Sequence, residues 1–251
     1  MSRSILAGMA AIEWGPGRFF RLEGVQFAHE DFGDFYEGAD ALPVMKTRAY
    51  LEAYAAGLGD LEVRNMMELG IRVGGSPAFL ALLFEPEKLV CLDIGKPATL
   101  LERFRAQDPR GACIAPYYRT SQDDESALTA ILERETQGPL DLVMDDASHF
   151  YAETRASFEI LFPRLRPGGV YAIEDWSWAH IRGFSEWRDQ PALSNLVFQL
   201  MMIAAAHPEL IAGITVTPGV AVVRKGPAAA RDERLDVESL CWMQGRTFHL
   251  L

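Results

Sequence analysis

The 251-residue chain contains only three cysteines, Cys91, Cys113 and Cys241. The number is odd and no spacing among them suits a metal knuckle, which excludes a disulfide scaffold and a zinc ribbon. A reducing, cytoplasmic setting is the expectation. Cys91 and Cys113 fall inside predicted strands, where a cysteine is usually a small buried hydrophobe. Long apolar runs are missing too: none approaches the ~20 residues of a membrane span. The longest candidate, "FQLMMIAAA", reads better as a buried helix. The opening "MSRSILAGMAAIEWG" weakly resembles a secretory signal, but its apolar run is short and Glu13 follows at once, so no signal is expected. Basic charge is scarce as well. With 24 Lys and Arg against 35 Asp and Glu, the formal charge is −11. No basic face is on offer for a nucleic-acid backbone, so neither nucleic acid nor membrane is an expected partner.

What is present is a rhythm. Short apolar runs stand at "NMMEL" (65–69), "LVCLDI" (89–94), "ACIAPY" (112–117), "DLVMD" (141–145) and "GVYAIE" (169–174). Amphipathic stretches lie between them. Phe158, Leu161, Phe162 and Leu165 keep helical spacing before "RPGG", and "SALTAILERE" behaves likewise. Strand and helix in alternation imply βαβ crossovers and a parallel sheet covered on both faces. "GITVTPGVAVVRKG" adds two strands joined at Pro218-Gly219, a hairpin signal. The expected fold class is therefore α/β: a doubly wound, Rossmann-like sheet, mostly parallel, of seven strands with a terminal antiparallel hairpin. Residues 1–64 read as a helical or irregular extension, with a helix period in "ALPVMKTRAYLEAYAAGLG". Residues 65–226 form the core, with a lid-like insertion at 175–211, and 227–251 form a tail.

The first core strand runs into "MELGIRVGGSPAFL". Glycines there let the backbone turn tightly and approach a ligand. Ser76-Pro77 reads as a helix start, with serine at the N-cap and proline at the first helical position. Asp93 ends the second strand, where an acid takes the ribose hydroxyls of an adenosine cofactor. G-x-G-x-x-G is absent, so the dinucleotide fingerprint fails. Glu68-x-Gly70 followed by Gly74-Gly75 instead resembles the S-adenosylmethionine site of class I methyltransferases.

Two acid pairs end predicted strands, Asp145-Asp146 in "DDASH" and Glu174-Asp175 in "IEDW", and the resemblance to class I methyltransferases implies that these two strands are neighbours. In a doubly wound sheet, ligands lie beyond the carboxyl ends of the strands. Asp146, Glu174 and Asp175 then meet at one rim, where they repel one another and raise each other's pKa. A divalent cation removes that cost, and an all-oxygen set suits Mg²⁺, Ca²⁺ or Mn²⁺ rather than zinc. His149, three residues past Asp146, reads either as a surface histidine behind a Ser148 N-cap or as a base poised near neutral pH.

Together "ELGIRVGGS", "LDI", "TSQDD", "DDASH" and "RPGGVYAIEDW" resemble the metal-dependent sugar O-methyltransferases of macrolide biosynthesis, the mycinamicin and macrocin group. They also resemble the related cephalosporin hydroxylase and rhamnosyl O-methyltransferase group. The resemblance covers roughly residues 65 to 180. It implies methyl transfer from S-adenosylmethionine to a hydroxyl of a small molecule, a sugar or natural-product diol. It implies Asp146, Glu174 and Asp175 as Mg²⁺ ligands, with His149 and Asp146 as the catalytic pair. The implied cofactor set is Glu68, Gly70, Gly75, Ser76, Asp93, Ser121, Gln122 and Asp145; Ser121 stands where the group has an acid. A hydroxylase-type tailoring enzyme and a non-catalytic cofactor-binding accessory protein are the alternatives. The first needs a redox motif that is not visible, and the second has no need of the acid triad. "DWSWAHIRGFSEWRDQ" (175–190) is expected either to wall the acceptor site with indole faces or to pack in an oligomer interface, and a homo-oligomer is expected.

Overall fold

Residues 2–29, 41–183, 187, 189–241 and 244–251 are described by the computed structural model of the chain. In chain order the elements are α1 (Ile5–Ala10), β1 (Ile12–Trp14), β2 (Phe19–Leu22), β3 (Val25–His29), β4 (Leu42–Val44), α2 (Arg48–Leu58) and β5 (Asn65–Leu69). There follow α3 (Gly75–Phe84), β6 (Lys88–Asp93), α4 (Thr99–Gln107), β7 (Ile114–Tyr118), α5 (Glu125–Glu135), β8 (Leu140–Asp145), α6 (Tyr151–Leu161) and β9 (Leu165–Glu174). α7 (Ser194–Ala206), β10 (Ile211–Val216), β11 (Val220–Lys225) and α8 (Val237–Leu240) complete the chain.

The large sheet has the order β10-β11-β9-β8-β5-β6-β7. β5 to β9 pair in parallel, and β11 and β10 close the edge antiparallel. This is the seven-stranded arrangement expected from the apolar runs. The period-2 pleat divides each strand between two cores. Met66, Cys91, Leu142, Met144 and Ala172 face a cluster built with α1 to α4. Met67, Val90, Val143, Tyr171 and Ile173 face a second one built with α5, α6 and α7.

Residues 1–64 depart from the helical or irregular reading, because they hold a four-stranded sheet, β1-β2-β3-β4. Its strands are three to five residues long, too short to show much periodicity. β2 and β3 are joined by Glu23-Gly24, both at positive φ (51° and 81°). Such a pair makes the tight hairpin turn usually written with Asn or Asp first, and a glutamate conceals the signal. The sheet is no separate unit. Phe20 and Phe27 meet Phe79 of α3 edge-on at 5.7 and 5.4 Å and share its core. Residues 30–40 of this stretch lie outside the described residues.

Three further expectations change locally. Cys113 ends a 3₁₀ turn (Pro109–Cys113) capped by Asp108, and the strand begins one residue later. Cys91 does lie buried in β6. Ser76 is not an N-cap: α3 starts at Gly75 behind Gly74, at φ +94°, with no side-chain cap. α7, expected to be buried, buries Leu196, Val197, Leu200 and Ile203 but exposes Phe198 and Met201. It packs into the second core, so the 175–211 stretch combines a loop with a core helix. Among the described residues, no helix is long and apolar enough to cross a membrane.

α2 crosses β11 at close range. A Cβ on Gly57 would stand 2.6 Å from Val222 Cβ. Gly57→Ala is expected to lower unfolding stability by about 1–3 kcal/mol through overpacking, despite alanine's better helix propensity. Adding Val222→Ala should recover part of the loss. Urea denaturation of the two variants checks this, and a Gly57→Ala protein as stable as the parent would contradict the contact.

Candidate active site

A cavity of about 1000 Å³ opens where β5, β6, β8 and β9 end. The β5–α3 loop forms its floor. Gly70 has φ +99°, and a Cβ there would collide with the Asp146 carbonyl. A Cβ on Gly75 would collide with the Pro43 carbonyl. Both glycines are therefore required by close backbone approach. Asp93 sits at the mouth. Its Oδ2 accepts from Ile71 N and Arg72 N at 2.8 Å each, and its Oδ1 accepts from Gly95 N at 2.6 Å. Asp93 thus shapes the glycine loop as well as facing the cavity.

Other members of the expected cofactor set lie deeper. Ser121 and Gln122 line the wall. Gln122 is nearly buried; its amide donates to Asp145 Oδ1 and to Ser157 Oγ at 3.1 Å each, and its carbonyl accepts from Ser148 N at 2.9 Å. Asp145 is not at the cavity surface. It is buried under Gln122 and also accepts from Tyr171 at 2.6 Å and Ser157 at 2.8 Å. Burial raises its pKa to about 6, against the lowering effect of the Tyr171 and Ser157 hydrogen bonds. Ser148 is likewise no helix cap: its Oγ accepts from Phe150 N at 3.3 Å in a local turn. Glu68 is fully buried behind the floor, accepts from Ser76 Oγ, and leaves Oε2 without a partner.

The acid pairs do converge. β8 and β9 pair with Asp145 opposite Ile173, so Asp146 and Glu174-Asp175 emerge side by side. Asp146 Oδ1, His149 Nε2 and Asp175 Oδ2 face one another: His149 lies 3.8 Å from the first carboxylate and 3.9 Å from the second. One atom from each of the three residues falls within 4.8 Å of the others, close enough for one metal ion. Both His149 (φ +58°) and Asp175 (φ +54°) are left-handed. Non-glycine residues adopt that conformation rarely, and mostly where the surroundings impose it.

Glu174 is placed differently from the other two acids. Its Oε1 accepts from Lys46 Nζ at 2.6 Å, and the same ammonium donates to Asp146 Oδ2 at 2.9 Å. Lys46 is 1% exposed. Burial pulls its pKa down, but Asp146, Glu174 and Glu68 outweigh that and hold it above the usual lysine range. Burial and Asp146 together push Glu174 up, against Lys46. Tyr50 donates to Asp175 Oδ1, and the buried Tyr54 hydroxyl stands beside Glu174. Sequence reading missed all three. Their spacing of 46, 50 and 54 puts them on one side of α2 and its entry, and the lysine at the head of that stripe was the available signal.

The loop after β9 closes the other side. Trp178 lies 4.4 Å from the His149 ring, and Trp187 meets Trp178 edge-on at 4.9 Å and donates to the His149 carbonyl at 3.0 Å. His180 bonds Ser194 Oγ at 2.8 Å and does not line the cavity. Gly183 in this loop has φ +107°. Phe184, Ser185, Glu186 and Arg188 of this stretch lie outside the described residues.

With this geometry in place, comparison with known proteins gives a consistent result. Residues 67–176 match the family described as a methyltransferase domain. The mycinamicin VI 2''-O-methyltransferase of Micromonospora griseorubida is 38% identical over 122 residues, 42% of this chain and 30% of that enzyme. The demethylmacrocin O-methyltransferase of Streptomyces fradiae is 38% identical over 104 residues, 40% of this chain and 26% of that enzyme. The chain thus matches about 30% or less of the length of these relatives. Among solved structures, the MycE methyltransferase of the mycinamycin pathway, in complex with Mg, SAH and mycinamycin VI, superposes with a TM-score of 0.53 at 28% identity. That superposition covers 72% of this chain and 48% of the other. The sheet is the methyltransferase fold expected above.

Buried Glu68 yields a test. Burial raises its pKa to about 7, helped by Asp146 and Asp93 and opposed by Lys46 and the Ser76 hydrogen bond. A carboxyl raised in the folded state favours folding at low pH, and that contribution is lost as pH rises from about 4.5 through about 7. Glu68→Gln should therefore be more stable than the parent at pH 8, by up to about 3 kcal/mol at 1.36 kcal/mol per unit. The advantage should shrink as pH falls towards 4.5. Thermal melts of the ligand-free proteins across that range decide it; an advantage independent of pH would refute the assignment.

Proposed function

From the methyltransferase domain carried by residues 67–176, we propose that the protein transfers a methyl group from S-adenosylmethionine to a hydroxyl of a small molecule, a sugar or natural-product diol, and needs Mg²⁺ or another hard divalent cation. One observation carries the proposal. A single cavity joins the glycine turn and Asp93 at one end to Asp146, His149 and Asp175 at the other.

The residues fit both groups. Gly70 and Gly75 bring bare backbone to the cavity floor, and Asp93 accepts three N–H bonds of the roughly four its carboxylate can take. At the far end, the Lys46 ammonium already lies between Asp146 and Glu174, so positive charge is accommodated there. Oxygen-rich donor sets suit hard ions. Asp146 and Asp175, with Glu174 behind them, would hold the cation; Asp93, Ser121 and Gln122 would line the adenosine end, with Glu68, Ser76 and Asp145 supporting the floor and wall. When bound, S-adenosylmethionine supplies an electrophilic methyl, and the cation acidifies a hydroxyl lying against it.

The protein's own residues do the rest. His149 Nε2 takes the proton of the acceptor hydroxyl as general base, and the charge it gains faces Asp146 and Asp175 within 4 Å. Trp178 holds the imidazole ring from the side and keeps bulk water off it. Trp178 and Trp187 form an apolar wall suited to the C–H face of a sugar ring. Two adjacent acceptor oxygens would chelate and so fix the nucleophile, a gain in orientation. The relatives named above act on sugar-bearing macrolides by their names, which supports this acceptor class. The proposal includes a cytoplasmic setting, which three unpaired cysteines suit. It also includes a homo-oligomer, for which the exposed Phe198 and Met201 of α7 offer apolar surface.

Turnover should vanish in EDTA and return with Mg²⁺; full activity in chelator, with metal content confirmed as nil, would remove the cation from the mechanism. His149→Ala should lower kcat by roughly 10²–10⁴-fold with S-adenosylhomocysteine affinity unchanged by calorimetry. Asp93→Ala should weaken S-adenosylhomocysteine by about 1–3 kcal/mol in a protein that still folds. Wild-type turnover in His149→Ala would make that residue a bystander.

A further inference from the structure

Lys46 enters the acid cluster from outside the methyltransferase domain. It follows β4, in the segment that leads into α2, and its side chain is as buried as that of Glu174 and far more so than that of Asp146: 2% exposed, against 3% and 26%. A buried ammonium is costly unless it is paired, and here it is paired twice, with Glu174 at 2.6 Å and Asp146 at 2.9 Å. The third carboxylate, Asp175, takes its hydrogen bond from Tyr50 instead. Counted at their formal charges, Asp146, Glu174, Asp175 and the Lys46 ammonium leave two negative charges, which one divalent ion would balance. The contacts are also selective. Lys46 engages Oδ2 of Asp146 and Tyr50 engages Oδ1 of Asp175, so the oxygens left over are the two that face His149.

We propose that Lys46 is the resident counter-ion of the cation site: it keeps the acid cluster folded when no divalent ion is present, and it weakens the cluster's hold on that ion so that binding stays reversible. The inference rests on the proposed cation site. Lys46 and a divalent ion neutralise the same carboxylates, so each makes the other less needed. At about 4 Å, even an effective dielectric constant of 20 leaves several kcal/mol of interaction between unit charges. Removing Lys46 should therefore tighten the ion and destabilise the ion-free protein, whereas a residue that merely orients the acids would loosen the ion when removed. Lys46 acts through the charge it places on the acids and not on the ion or the substrate itself.

The test measures Mn²⁺ binding by electron paramagnetic resonance, and melting temperature in EDTA, at one fixed pH near 8. Lys46→Met should bind Mn²⁺ at least about tenfold tighter than the parent, melt lower in EDTA and regain the difference when Mn²⁺ is added. Lys46→Arg, which keeps the charge, should resemble the parent in both. Equal or weaker Mn²⁺ binding by Lys46→Met overturns the inference and leaves the proposed function standing, since the parent still binds. If neither protein binds Mn²⁺, the cation site itself fails and the inference with it. Should Lys46→Met fail to fold even with Mn²⁺, the double variant Lys46→Met, Glu174→Gln restores the net charge of the cluster. It should fold in EDTA, and failure to do so would show that Lys46 is needed for something other than charge.

Discussion

Carboxylates at the ends of two hydrogen-bonded strands cannot avoid one another. β8 and β9 run parallel as neighbours, so the residues that follow them, Asp146 and Asp175, must share the rim with Glu174. That concentration of negative charge is the constraint around which the site is arranged. The cluster is met by a buried ammonium from Lys46, a phenol from Tyr50, an imidazole from His149 and the edge of an indole wall. Two of the residues that meet, Asp175 and His149, hold left-handed backbone conformations, which is what bending both loops over one point demands.

The same constraint explains why the N-terminal segment is built into the core. A lysine with its ammonium in the acid cluster needs a fixed approach, and α2 supplies one by packing on β11, with Gly57 against Val222. The small sheet β1–β4 in turn packs its phenylalanines on α3, whose first residue, Gly75, touches Pro43 of β4. The cavity floor and the Lys46 loop are therefore held together by backbone contact. A change in one is felt by the other, which ties the glycine-loop end of the cavity to its acidic end.

Legibility followed the range of the interactions. The five parallel strands were readable because the inner four are buried on both faces and leave continuous apolar runs such as "DLVMD", while the half-buried edge strand β7 still starts from a buried Ile114. The hairpin was readable from Pro218-Gly219. The small sheet was not, since β1 and β4 have three residues each and Glu23-Gly24 stands in for a more familiar turn pair. Asp93, Asp146, Glu174, Asp175 and His149 could be placed around one cavity from the sequence because each sits at or just after a strand end, where a doubly wound sheet presents ligands. Asp145 was assigned to the cofactor through likeness of motif, whereas its three buried donors show it bracing Gln122.

The sequence alone was enough to specify which strand ends carry acids and in what order they align. The alternation of apolar runs and amphipathic helices gives the parallel sheet, the pleat gives the face each residue takes, and the neighbouring of the fourth and fifth core strands came from the resemblance to class I methyltransferases. Which atoms of those acids remain free was settled only in three dimensions. Lys46 stands 100 residues from Asp146 and 128 from Glu174, and no local periodicity links them. Their pairing follows from α2 packing on the far edge of the sheet, and a long-range electrostatic contact of that kind leaves no pattern in the chain until the backbone has folded.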